Sequence, residues 1–279
     1  MKKLYIHIGA RKAGSTSIQK FLANNSDWLS GYGIRYISAS RGEKSQGDAY
    51  FAHHRAARVA RFGRKYWDEI LGEIDRSENV NTFVVSSELF YNLDPEYVGM
   101  IKDYTHDMDV RIVFIKRDKC AFLKSEYKQQ IKISNEDGSF SSFCQRNGHL
   151  ADFEIYENVW RQAFGGDRIH VLHFENYIES SDGNLIGDVL EILGCPDGGQ
   201  YKEKHNVSVE DDRYMTLRCI NKIANICGVG RSRPVKIIKN SIVRKRTPGN
   251  LAHGAVTLFL SARLFDGDDV LIDGRPCRG

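Results

Sequence analysis

The sequence predicts an α/β fold, a three-layer domain in which helices flank a central parallel sheet. Five short apolar segments have the length of buried strands, and helical patterns separate them. Such alternation is typical of a parallel sheet that is covered by helices. The candidate strands are Leu4–Ile8, Ile34–Ile37, Thr82–Ser86, Val110–Ile115 and Ile169–Phe174. Sheets of this kind bind ligands at the carboxyl ends of their strands, so function is sought in the residues that follow each strand.

The composition is that of a globular protein with one main core. The chain has 279 residues, of which 41% are hydrophobic and 27% charged, and no run approaches the roughly 18 apolar residues of a membrane span. We expect residues 1–210 to form the α/β domain and residues 211–279 to form a basic helical extension on or beside it. The first strand follows Met1 so closely that we expect no signal peptide, and therefore a cytoplasmic, bacterial protein.

A segment bounded by Gly9 and Gly14 joins the first strand to a helical pattern. Glycine permits the tight turn, and the N–H groups that open the helix point into it, so the segment is expected to cradle an anion. A loop that binds ATP or GTP carries lysine directly after its second glycine. That place holds Ser15, and Lys12 instead lies at the crown of the loop. The spacing indicates a ligand other than the β- and γ-phosphates of a nucleoside triphosphate.

A second candidate phosphate site follows the strand Val110–Ile115. Arg117 comes directly after this strand, and Ser125 lies eight residues later in a helical pattern. A guanidinium offers two parallel donors and a permanent charge, which suit a phosphate. The alternative is a surface arginine that pairs with Asp118 or Glu126.

Together the two elements resemble sulfotransferases that use 3′-phosphoadenosine 5′-phosphosulfate (PAPS). In that family a basic residue precedes a Gly-Thr-Thr-like run in the 5′-phosphosulfate loop, and an arginine and a later serine bind the 3′-phosphate. The segment 164–176 is similar to a late strand of the family, and the resemblance covers roughly residues 4–210. It implies a P-loop-like fold, PAPS as the donor, no metal, and Lys12 as a catalytic cation. The donor-binding residues that it implies are Arg11, Lys12, Ala13, Gly14, Ser15, Thr16, Ser17, Arg117 and Ser125.

The candidate catalytic base is Glu88, which follows the strand Thr82–Ser86 at the same edge of the sheet. It resembles the glutamate of a Ser-Glu step in several carbohydrate sulfotransferases, which implies a hydroxyl of a glycan or glycolipid as the acceptor. A helix cap or an ion pair is the structural alternative for Glu88. His53 and His54, adjacent in a helical pattern, are competing bases, and His54 is retained as a third catalytic candidate.

Positive charge is concentrated near the C-terminus. The segment 213–265 holds eleven Lys or Arg and no Asp or Glu, so it carries +11 and the rest of the chain −7. Its densest part, residues 231–246, interleaves cations with aliphatic residues. This pattern suits an anionic glycan or an anionic membrane surface, which would be the inner face of the membrane. The alternative is a solvated helix face that docks on the main domain. Because aromatic residues are not interleaved there, no nucleic acid is expected.

The cysteines and histidines suggest neither a metal nor a disulfide framework. Six cysteines show no C-x-x-C pair, and the nine histidines lack metal-ligand spacing, so we expect reduced, structural cysteines and no metal. Two other functions stay open. One is a P-loop nucleotide or small-molecule kinase, and the other is a non-catalytic protein that binds anions or membranes.

Overall fold

In a computed structural model, the structure describes residues 1–43, 47, 50–180, 183–195, 211–226, 239, 242, 270–272 and 275–277. They belong to two compact units. Unit 1 comprises residues 1–118 and 152–204, and unit 2 comprises residues 119–151 and 205–279. The predicted division of the chain at residue 210 stays a prediction.

Unit 1 contains a five-stranded, all-parallel sheet in the order β2-β3-β1-β4-β5. Its strands are β1 (Lys3–His7), β2 (Ile34–Tyr36), β3 (Thr82–Ser86), β4 (Asp109–Lys116) and β5 (Ile169–His173). The predicted strands and the predicted α/β fold class are therefore confirmed, with boundaries that shift by one residue. Strand β1 lies at the centre, with β3 on one side and β4 on the other, so its carboxyl end is the point at which the strand order reverses.

Helices connect the strands and flank the sheet. Those among the described residues are α1 (Ser15–Asn24), α2 (Ser26–Ser30), α3 (Val59–Phe62), α4 (Lys65–Asp75), α5 (Pro95–Tyr104), α6 (Lys119–Ile133), α7 (Phe140–Asn147), α8 (Phe153–Phe164), α9 (Glu175–Ile178), α10 (Leu185–Ile192) and α11 (Asp211–Ile226). Helices α6, α7 and α11 belong to unit 2 and the others to unit 1. Pro95 opens α5 at a position where its missing N–H costs no intrahelical bond.

The core of unit 1 lies between the sheet and its helices. Leu4 and Ile6 of β1 are fully buried, as expected of a strand with neighbours on both sides. Helix α8 contributes Phe153, whose ring lies 6.1 Å from that of Tyr91 and 6.4 Å from that of Phe114. These aromatic contacts hold α8 against β4, the strand that leads into the second candidate phosphate site.

Unit 2 is built on α6, which packs against α7 and α11. Tyr127 of α6 places its ring 5.4 Å from Phe140 and 5.2 Å from Phe143. Asn221 of α11 donates to the carbonyls of Ile131 (2.8 Å) and Glu136 (2.9 Å), which satisfies one acceptor in the last turn of α6 and one in the loop that follows it. The antiparallel strands β6 (Val270–Ile272) and β7 (Arg275–Cys277) also belong to this unit.

The prediction that all six cysteines are reduced is wrong, because Cys120 and Cys277 form a disulfide across a sequence separation of 157 residues. Their Cα atoms lie 5.5 Å apart, within the range that the bond requires. A pairing over this distance leaves no spacing signal in the sequence. Disulfides are rare in cytosolic proteins, and this one does not favour a cytoplasmic location. The expected cytoplasmic location stays a prediction.

Most of the basic segment 231–246 lies outside the described residues. Lys239, which is described, is 5% exposed and donates to the side-chain oxygen of Asn135 at 2.8 Å. It therefore contacts protein rather than a membrane surface. Within the described ranges, no helix combines the length and the apolar character that crossing a bilayer would need.

We predict that Phe153→Ala destabilises unit 1 by about 3–5 kcal/mol, because it removes a buried ring that packs on Tyr91 and Phe114. Ile155→Ala is the matched control on the same helix, since Ile155 is 61% exposed. Urea unfolding followed by circular dichroism measures both variants. Equal losses in the two would contradict the assigned packing face of α8.

Candidate active site

The loop that follows β1 is held by an extension of the β1–β4 pairing. The N–H groups of Ile8 and Ala10 donate to the carbonyls of Val113 (2.9 Å) and Ile115 (2.8 Å). The chain therefore leaves the sheet only after Ala10, at a fixed position next to β4.

Two residues of this loop have left-handed backbone conformations. Lys12 has φ 62° and Gly14 has φ 77°, and together they turn the chain into α1. Helix α1 begins its internal bonding at Gly14, whose carbonyl accepts from the N–H groups of Ser17 and Ile18. The preceding N–H groups belong to the first turn, which has no intrahelical acceptors, and this is the geometry of an anion-binding helix start.

The two glycines are required for different reasons. A Cβ on Gly14 would lie 2.6 Å from Leu185 Cδ2, in a conformation that side chains rarely adopt. A Cβ on Gly9 would lie 2.7 Å from His7 Nε2 and 3.0 Å from Ser15 Oγ. The sequence predicted glycines for the turn, and the structure adds that both positions are closely packed.

Arg117 is anchored to the crown of this loop. Its Nη1 donates to the carbonyl of Lys12 at 2.7 Å, and its guanidinium carbon lies 5.5 Å from the ring centre of Phe174. Glu175 Oε1 is 3.8 Å from Arg117 Nε. Burial lowers the pKa of Arg117 and the charge of Glu175 opposes this shift. The structure thus brings the two predicted phosphate elements of unit 1 together, and Glu175 is an ion-pair partner of Arg117 within this unit.

The predicted hydroxyl donors are distributed differently. Ser15 is 6% exposed, and its Oγ has no hydrogen-bond partner among the described residues. Thr16 and Ser17 are half-buried in the first turn of α1. Ser125 lies on α6 and belongs to unit 2, so its role stays a prediction.

Glu88 lies just beyond β3, beside His54. Glu88 Oε1 is 3.6 Å from His54 Nε2, and Glu88 Oε2 accepts from Gln19 Nε2 at 3.3 Å. The carboxylate side chain is 26% exposed, enough to meet a ligand. Two of the three candidate bases of the sequence analysis, Glu88 and His54, are therefore neighbours.

Ser87 holds the ring of His54 beside Glu88. Ser87 Oγ accepts from the Leu89 N–H at 3.1 Å and lies 2.8 Å from His54 Nδ1, with which it forms a second hydrogen bond. Burial lowers the pKa of His54, against the opposing effect of Glu88. The ring of His54 is therefore neutral near pH 7, and it lies beside the carboxylate of Glu88.

His53 is committed to the fold. It is fully buried, its Nδ1 accepts from the Ser86 N–H at 3.1 Å, and its Nε2 donates to the Ile37 carbonyl at 2.9 Å. Both ring nitrogens are thus used by the backbone, so His53 does not compete as the base.

Sequence reasoning missed Gln19, which donates to Glu88, and assigned no role of their own to Ser87 and Glu175. A glutamine in an amphipathic helix gives no distinct signal. Within the part of the chain that the structure describes, no group of three or more His, Cys, Asp or Glu side chains is placed to hold a metal ion.

Comparisons with known proteins give distant similarities. No family model matches the chain. Over 159 residues it is 28% identical to an uncharacterized protein of Archaeoglobus fulgidus, a match that covers 56% of this chain and 42% of that protein, so the chain matches less than half the length of this relative.

Three solved structures are similar over most of the chain. A sulfotransferase from Alicyclobacillus acidocaldarius is 15% identical with a TM-score of 0.47, and the match covers 85% of this chain and 99% of that one. Retinol dehydratase in complex with androsterone and the inactive cofactor PAP is 13% identical with a TM-score of 0.36, covering 89% and 75% of the two chains. The same enzyme with retinol and PAP is 12% identical with a TM-score of 0.34, covering 89% and 72%. At these identities and TM-scores the similarity is distant.

The buried histidines predict a loss of stability in acid. Burial lowers the pKa of His7 to about 4, and burial, with a smaller effect of Arg41, lowers that of His53 to about 3. Unfolded histidine titrates near 6.5, so below that pH the unfolded chain binds protons that the folded chain does not. The free energy of unfolding should fall between pH 6.5 and 4, by up to about 1.4 kcal/mol per pH unit for each ring.

Urea unfolding at several pH values between 7 and 4.5 tests this pH dependence. In His53→Gln, the free energy of unfolding should vary less steeply with pH, by the contribution of one buried ring. His106→Gln, on the exposed surface, should keep the wild-type pH dependence. An unchanged slope in His53→Gln would contradict the assigned neutral state of the buried ring.

Proposed function

We propose that this chain is a PAPS-dependent sulfotransferase that transfers a sulfuryl group to a hydroxyl of its acceptor. The observation that carries the proposal is the hydrogen bond from Arg117 to the carbonyl of Lys12. This bond holds a permanent cation beside a glycine-bounded anion loop. A nucleotide that carries phosphate groups at both its 3′ and its 5′ position requires two such anion-binding elements close together.

The position of Lys12 favours PAPS over a nucleoside triphosphate. Lys12 is exposed at the crown of the loop, and Ser15 takes the place where a kinase loop has its lysine. The loop amides and the hydroxyls of Ser15 to Ser17 would bind the 5′-phosphosulfate. Arg117 would bind the 3′-phosphate, which ATP lacks. Ser125 remains a sequence-based prediction for the same phosphate.

Sulfuryl transfer then requires three events at the site. The acceptor oxygen bonds to sulfur, the bond from sulfur to the bridging oxygen breaks, and its electron pair stays on the 5′-phosphate of adenosine 3′,5′-bisphosphate. Glu88 would take the acceptor proton, with His54 holding the carboxylate in position. Lys12 would stabilise the negative charge that grows on the leaving phosphate. No metal is needed for this scheme.

The acceptor is proposed to be a glycan or glycolipid hydroxyl. The sequence resemblance to carbohydrate sulfotransferases supports it. Contact of residues 231–246 with an anionic membrane stays a prediction.

We predict that the protein binds adenosine 3′,5′-bisphosphate more tightly than ATP with magnesium, and that Arg117→Ala weakens this binding roughly 10- to 100-fold through loss of a charge-assisted contact. Arg168→Ala is the matched control, because Arg168 precedes β5 at the opposite edge of the sheet and pairs with Asp109. Calorimetric titration measures all three proteins. A preference for ATP with magnesium would favour the kinase alternative, and equal effects of both variants would refute the assigned phosphate site.

We predict that Lys12→Ala and Glu88→Gln slow PAPS cleavage about 100- to 1,000-fold. Glu88→Gln should leave the affinity for adenosine 3′,5′-bisphosphate within about threefold of wild type, since the base contacts the acceptor and not the nucleotide. Chromatographic measurement of product formed from PAPS, with water or a panel of hydroxyl acceptors, tests both variants. Wild-type rates in both would instead favour a non-catalytic anion-binding protein.

A further inference from the structure

Gln19 of α1 links the anion loop to the candidate base, although neither the sequence motifs nor the proposed chemistry assigns it a role. It is 2% exposed. Its Nε2 lies 3.3 Å from Glu88 Oε2 and 3.2 Å from Ser86 Oγ. A carboxylate accepts and cannot donate, so the amide group must face Glu88 with its nitrogen. The two amide hydrogens can then serve Glu88 and Ser86 at once.

This orientation constrains the hydrogen bonds of Ser86. Ser86 Oγ accepts from Gln19 Nε2, and His7 Nδ1 lies 2.7 Å from the same oxygen. The oxygen has a second lone pair, so the bond to His7 can run in either direction. If Ser86 donates to Nδ1, the ring proton of His7 lies on Nε2. Ser86 and His7 are almost completely buried, so water does not compete for these bonds.

The chain of hydrogen bonds ends beneath the anion loop. Among the described residues, His7 Nε2 and Ser15 Oγ are buried polar atoms without a hydrogen-bond partner. Both border the point where a Cβ of Gly9 would lie, at 2.7 and 3.0 Å. Buried donors normally have a partner, and orphaned ones call for an explanation. Two of them side by side, under a loop shaped for an anion, form a polar floor that is prepared for a ligand.

We propose that Gln19 is a positioning residue that serves both halves of the site. One amide N–H holds Glu88 for proton removal, and the other orients Ser86 and His7 so that Nε2–H and the Ser15 hydroxyl face the bound anion. The role in turnover rests on the proposed sulfotransferase function, whereas the tautomer of His7 does not. Donor binding and base orientation are therefore coupled through one side chain.

The first test is the tautomer of His7, read from the nitrogen-15 chemical shifts of its ring in the ligand-free protein. Wild type should show the Nε2–H form. Gln19→Met, of similar volume, should populate the Nδ1–H form because Ser86 is then released. Gln130→Met is the matched control, since Gln130 donates to Glu126 in the same way in unit 2, at 2.9 Å. Wild-type protein with the proton on Nδ1, or an unchanged tautomer in Gln19→Met, would overturn the inference.

The second test is PAPS cleavage with water as the acceptor. Gln19→Met should lower kcat about 10- to 100-fold and move the acidic limb of the kcat/KM profile to higher pH, because a carboxylate that loses a donor protonates more readily. Ser86→Ala interrupts only the branch to the loop, so it should raise KM for PAPS and leave the acidic limb in place. Equal pH profiles in Gln19→Met and wild type would show a merely structural glutamine.

Failure of the proposed function would look different from failure of this inference. If wild type binds neither adenosine 3′,5′-bisphosphate nor PAPS, the sulfotransferase proposal fails and the His7 tautomer still decides whether Gln19 orients the chain. If wild type turns over and Gln19→Met matches it in rate and pH profile, the function stands and the positioning role is wrong.

Discussion

The candidate site depends on the pairing of β1 with β4, which continues for three residues beyond the end of β1. The bonds from Ile8 and Ala10 to β4 keep the chain attached to the sheet until the loop turns. Since β4 also leads to Arg117, the same pairing sets the distance between the guanidinium and the loop that it contacts. Without this pairing, the loop would be an ordinary exposed turn, and its amides would have no fixed direction.

The central position of β1 divides the site into two halves. On the side of β4 lies Arg117, which is proposed to bind a nucleotide phosphate, with the ring of Phe174 beside its guanidinium. On the side of β3 lies Glu88, which is proposed to remove a proton, with His54 beside it. A reaction that joins a charged donor to a hydroxyl needs both halves at one loop. The strand order supplies this arrangement, because it reverses at β1 and brings the carboxyl ends of three strands together.

The sequence predicted the parts of this arrangement that follow from local rules. Strand periodicity, the two glycines and the residues directly after β3 and β4 have short-range signals, and these gave the fold class and drew attention to Glu88 and Arg117. Long-range pairings gave no signal. The disulfide of Cys120 with Cys277 and the contact of Gln19 with Glu88 join distant parts of the chain. Likewise His53 and His54 are adjacent in sequence, and only packing makes one buried and the other a neighbour of the base.

The backbone conformation of Lys12 lowers the stability of this loop. A side chain in the left-handed region costs roughly 1–2 kcal/mol, a strain that glycine at the same place would avoid. Glycine would relieve this strain but would add conformational freedom to the unfolded chain, so part of the gain would be lost. The lysine thus places a cation at the crown of the loop at a cost in backbone strain, a compromise held in a single torsion angle.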